Sequence, residues 1–198
     1  MQGTALHRAL AVLVLAGALL VTSAGVASAE NWSLADPKGD VASMTLDDYE
    51  DGNAPTPSPD RRIGDVWRTS IGHTSRNVVV RITMQQVPRG DWSAFAHIVT
   101  PRAQFFVIQS KYEDYRQLML LKASGRGGVV KCRAKSSRII GSALVLTIAR
   151  SCLGRPASVR VGAQVSVYDA DTETVHMDDA LRRGWSDVPR LSPRIRRG

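Results

Sequence analysis

From residue 66 onward the apolar positions recur every second residue, not every third or fourth. The cleanest run is "SVRVGAQVSVYD", where Val159, Val161, Ala163, Val165 and Val167 fall on one face. Ser158, Arg160, Gln164 and Ser166 fall on the other. A period of two with one apolar face predicts a half-buried antiparallel strand. "VVVRITM" repeats the pattern, with Val78, Val80, Ile82 and Met84 inward and Arg81 and Thr83 outward. "VWRTSIGH" before it puts Trp67, Thr69 and Ile71 on one side, and the polar "TSRN" between the two runs predicts a β-hairpin over 66–84.

Further alternating runs follow: "AFAHIVT", "AQFFVIQS", "YRQLMLLKA", "GVVKCRA" and "SALVLTIAR". Gly, Pro, Ser or basic clusters separate most of them, and about eight or nine short strands with no long helix define the expectation. The expected fold is all-β: an antiparallel, jelly-roll-like β-sandwich forming a single domain. "SCLGRP" reads as a tight turn. "HMDDALRRG" reads as a short helix capped by Asp178 and stopped by Gly184. Segment 42–62, "ASMTLDDYEDGNAPTPSPDRR", breaks the alternation with dense acids and three closely spaced prolines, and is expected to be an exposed loop.

The ends change the setting. Arg8 precedes an apolar run from Ala9 to Val26, and "ASA" at 27–29 offers a cleavage site, so residues 1–29 read as a signal peptide. An uncleaved anchor is the alternative, at the short end of a spanning length. Cleavage leaves 169 residues, enough for one sizeable core, with a sandwich over 30–189 and a basic tail, 190–198, expected to be disordered. The expected location is extracellular, free or envelope-associated, with no transmembrane segment in the mature chain, which is expected to be a monomer. Cys132 and Cys152 in an exported chain read as a disulfide, the alternative being two buried thiols.

Charge is split along the chain. Residues 30–60 hold eight acids and one base, Lys38, whereas 61–198 hold 24 Lys or Arg against 10 Asp or Glu. A basic exported body is drawn to anionic partners, here an envelope polysaccharide or other anionic polymer. Nucleic acid is not expected, because the aromatic interleaving of single-strand binders is missing.

Candidate chemistry is sparse. No nucleophile elbow, zinc-protease helix, phosphate loop or dinucleotide glycine pattern is present, and no catalytic residue is assigned. His97 alternates with apolar neighbours and reads as a core histidine. The acidic loop fails the EF-hand pattern: with Gly52 at loop position six, position twelve is Ser58. "RGD" at 89–91 reads as a turn. Trp92, Tyr112 and Tyr115 lie in or beside predicted loops and are the candidate glycan platforms, against the alternative of aromatics at the core margin. Trp32, Trp67 and Trp185 read as core or edge packing. "ADPKGDV" at 35–41 places Asp36 and Asp40 around Pro37 and Gly39. That is a tight turn whichever way its carboxylates are used, and either a calcium loop or a turn with solvated acids.

"DPKGDV", "GDVWRTSIGHTSRNVVVRITM", "ARSCLGRPASVRVGAQV" and "DDALRRGWSD" together resemble a group of secreted actinobacterial β-sandwich proteins of uncharacterised activity. The opening half is also similar to carbohydrate-binding and DOMON-like domains. In some of those a D-x-x-G-D turn and a later Asp at a strand start hold calcium. That resemblance implies a structural calcium ion on Asp36, Asp40 and Asp65, although Val41 stands where a third acid often follows. Three functions are carried forward. The first is a secreted non-catalytic binding module for envelope glycan or anionic polymer. The second is an envelope structural or interaction protein acting through its basic tail, and the third an unrecognised hydrolase.

Overall fold

A computed structural model describes residues 30–113, 115–125 and 127–198. The signal peptide expected over 1–29 lies outside the described residues. The strands begin with β1 (Glu30–Ala35), β2 (Ala42–Thr45), β3 (Thr56–Pro57), β4 (Val66–His73) and β5 (Asn77–Met84). Then come β6 (Asp91–Val99), β7 (Gln104–Tyr112), β8 (Tyr115–Lys122), β9 (Gly128–Val129) and β10 (Lys135–Ile140). The last four are β11 (Ala143–Ala149), β12 (Ser158–Asp169), β13 (Thr174–Asp179) and β14 (Ile195–Arg196). They form two antiparallel sheets, one in the order β1-β4-β5-β11-β10 and the other β3-β2-β13-β12-β6-β7-β8-β9 with β14 paired to β12. The fold is the expected all-β sandwich.

The alternation does what it predicts. Val78, Val80, Ile82 and Met84 are buried on β5, and Val159, Val161, Ala163, Val165 and Val167 on β12. These faces meet Leu144, Leu146 and Ile148 of β11 and Ala96, Ile98 and Val107 of the larger sheet in one core. Each fully buried aliphatic side chain contributes about 1.5–3 kcal/mol. The 66–84 hairpin forms, and the Thr74 hydroxyl accepts from the Asn77 amide at 2.8 Å to close its turn. A β-bulge between Val66 and Arg68 shifts the pattern, so Val66 and Thr69 face inward. Trp67 is left half-buried at the surface, with the Lys38 ammonium and Arg68 guanidinium over its ring at 5.6 and 5.4 Å. Cys132 and Cys152 are joined by a disulfide.

Four expectations fail. Segment 42–62 is not simply an exposed loop: Ala42, Ser43 and Met44 are buried where β2 pairs with β13 and β3. Thr45 then caps a short helix, α1 (Leu46–Glu50), in a capping box with Asp48. The expected helix at "HMDDALRRG" is instead the end of β13 and a turn, because Val165 and Gln164 pair with Asp178 and Asp179 and hold them extended. The 190–198 tail is docked. Ser192 donates its amide to the Val161 carbonyl at 2.8 Å, and Ile195 is buried in the core opposite Val159. This segment covers the outer face of β12, where a side chain at Gly162 would come within 2.8 Å of the Arg190 carbonyl oxygen. Trp92 is 5 % exposed on β6 and belongs to the core, so it offers no platform for a ligand.

Candidate metal centre

The "DPKGDV" turn is built by β1, whose last backbone link is the Asp36 amide donating to the Trp67 carbonyl at 3.0 Å. Gly39 has φ +74°, and a side chain there would meet the Pro59 carbonyl oxygen at 2.8 Å. The turn therefore requires glycine twice over, for its backbone angle and for space. The Gly39 amide donates to Asp65 Oδ2 at 2.7 Å, which fixes the turn against the start of β4. Asp65 Oδ2 also accepts from the Gln85 side-chain amide. The next amide, Val66, donates to Asp178 Oδ2 at 2.6 Å and so ties β4 to β13. Gly184 completes the frame by donating to Asp40 Oδ2 at 3.0 Å.

Four carboxylates converge through these links. Asp65 and Asp178 are fully buried, Asp36 is 6 % exposed, and Asp40 is half-buried. Asp40, Asp65 and Asp178 each spend Oδ2 on a backbone amide and leave Oδ1 without a partner. Asp36 has no partner on either oxygen. Among the described residues none of these four acids makes an ion pair; the recorded pairs are Arg61 and His176 on Asp169. Lys38, the one base in the turn, extends over Trp67 instead.

Burial pushes the Asp36 carboxyl up to about 9, and the charges of Asp178, Asp40, Asp179 and Asp65 push it the same way. Burial raises Asp178 to about 8 against the opposing pull of the Val66 amide, with Asp40, Asp65 and Asp179 adding to the rise. Asp179, buried beside them, is raised by burial to about 6 and held down by the Arg190 and Leu181 amides. Burial also raises Asp40, partly offset by the Gly184 amide. A buried carboxylate with neither a cation nor a donor is costly and is driven towards its neutral form.

Asp36, Asp40 and Asp178 each present one oxygen, all within 4.8 Å of one another. Two oxygens on one calcium ion at 2.3–2.6 Å lie at most about 5 Å apart, so this triad has the dimensions of a single coordination sphere. An all-carboxylate donor set with no His or Cys suits a hard divalent cation and not zinc. Of the three acids marked in the sequence, Asp36 and Asp40 belong to the triad. Asp65 lies beside it, holding the turn through Gly39 and adding charge. Asp178 takes the third place, and no spacing in the sequence pointed to it. Tyr112 and Tyr115 stand opposite each other where β7 meets β8, 50 % and 58 % exposed, and belong to a different part of the larger sheet.

Fold and site together define a class: a β-sandwich in which the turn after β1, the start of β4 and β13 meet over a cluster of buried carboxylates with unpartnered oxygens. Comparison with family models, with curated proteins and with solved structures gave no match.

Proposed function

We propose that this protein is an exported, non-catalytic binding module for an anionic cell-envelope polysaccharide, closed by a calcium ion on Asp36, Asp40 and Asp178. The observation that carries the reading is the buried acid cluster, with five unpartnered carboxylate oxygens and, among the described residues, no cationic side chain paired to it. A divalent cation there neutralises charge that the fold otherwise holds at a cost. It would pin the β1 turn to β13, so its role is structural support for the sandwich. The anionic partner is supported by the basic excess over 61–198. Export is supported by the Ala9–Val26 run with "ASA" after it, and by the disulfide. No helix among the described residues is long and apolar enough to cross a membrane.

The test is retention of the purified, oxidised protein on insoluble envelope polysaccharide in calcium. Binding should be strong at low salt and fall as salt rises, because it is driven by charge. No retention at low salt contradicts the reading.

A further inference from the structure

Asp40 belongs to two surfaces. One of its oxygens joins the acid triad, and the residue also lines a cavity of about 490 Å³. Arg183, the half-buried Trp185, Pro55, Pro57 and Pro59 line the same cavity. Among the described residues, Asp40 and Arg183 are the charged groups that line it. The Gly184 amide donates to Asp40 Oδ2 at 3.0 Å, so whatever orders Asp40 also orders the turn that carries Arg183 and Trp185.

We infer that this cavity is the ligand site of the module, that it takes an acidic sugar unit of a polysaccharide, and that its affinity depends on the neighbouring cation. The inference rests on the calcium reading above. Trp185 supplies an aromatic face of the kind that stacks on a sugar ring, and the rigid prolines provide a wall that loses little entropy on binding. Arg183 presents a planar fork that suits a carboxylate. Without an ion, Asp40 opposes an incoming anion and competes for Arg183. With an ion, the Asp40 charge is spent on the metal, and Arg183 is left as the uncompensated charge of the cavity. Cation and acidic sugar therefore favour each other, and by linkage each raises the affinity of the other by the same factor.

The test uses the oxidised protein and two separate readouts. Thermal melting reports calcium binding, and Trp fluorescence with calorimetry reports a glucuronate-containing tetrasaccharide against the neutral tetrasaccharide chitotetraose. The expected result is acidic-sugar binding in calcium that weakens at least about tenfold in chelator, in line with the usual size of site coupling. Arg183→Gln should lose the preference for the acidic sugar. Trp185→Ala should lose binding of both, and Trp185→Phe should keep part of it, while all three variants still melt higher in calcium. A calcium-raised melting temperature without sugar binding overturns this inference and leaves the cation reading standing. Equal binding of the neutral sugar, or equal binding of a single-stranded oligonucleotide, also overturns it. No effect of calcium on melting overturns the cation reading and this inference with it.

Discussion

Two ends of the sandwich bury charge in opposite ways. At the disulfide, Arg150 is buried and all three of its guanidinium nitrogens donate to backbone carbonyls. It donates to Ser75 at 2.7 Å, to Pro156 at 2.8 and 3.3 Å, and to Arg155 at 3.2 Å. At the acid cluster, Asp36 is equally buried and its carboxylate has no hydrogen-bond partner among the described residues. The first arrangement is complete within the chain: Arg150 clamps the turn that follows β11 and needs nothing else. The second is incomplete, and under the proposed function a cation completes it. Burial alone does not distinguish the two; a cluster of buried carboxylate oxygens without partners does.

The contrast can be broken most forcefully at Arg150. Arg150→Ala strands three backbone carbonyls and should cost about 3–5 kcal/mol, equally in calcium and in chelator, by urea denaturation. Reducing the Cys132–Cys152 disulfide, whose cysteines are 20 residues apart, should cost about 3 kcal/mol, again without regard to calcium. Asp36→Asn should behave in the reverse sense. In chelator it removes the cost of protonating a carboxyl that the fold holds neutral and so raises stability, and in calcium it removes most of the ion's stabilisation, which at a hundredfold excess over Kd is about 2.7 kcal/mol.

Acidity sharpens the same comparison. Asp36 and Asp178 have folded values of about 9 and 8, above the ordinary 3.8. For such groups the stabilising contribution is complete below the ordinary value and is lost as pH rises through the folded one. In chelator, stability should therefore fall from about pH 4 to about pH 9, and the stretch from pH 7 to 9 isolates the carboxylates. His73, His97 and His176, which burial lowers, are already neutral in that window and do not mask the fall. In saturating calcium the carboxylates are held ionised and the fall should disappear, as followed by melting temperature against pH. The smallest effect is expected at Gly39→Ala. Its φ of +74° and the 2.8 Å approach to Pro59 should cost about 1–3 kcal/mol and weaken calcium uptake through the displaced turn.

The strands were legible wherever one face of a long run is apolar, as on β5 and β12. The hairpin and disulfide followed from turn residues and cysteine pairing. Trp67 misled because a bulge changes the count of two by one residue. β2 is four residues long, too short for a period to show, and acids and prolines surround it. The C-terminal arginines look solvated because they are; the residues that dock, Ser192 and Ile195, are single positions among them. Half of the acid cluster was visible in "DPKGDV". Asp178 was not, since the Val66 amide that it holds is 112 residues away and only the β12–β13 hairpin brings it there. In isolation, "HMDDAL" also reads as a helix start, and tertiary pairing overrides that local signal.

Calorimetric titration of calcium into chelator-stripped, oxidised protein, paired with the same titration of Asp36→Asn, tests the central claim most directly. One calcium per chain with a raised melting temperature, abolished in the variant, is the predicted result. No heat and no change in melting for the unmutated protein, or identical binding by the variant, would contradict it.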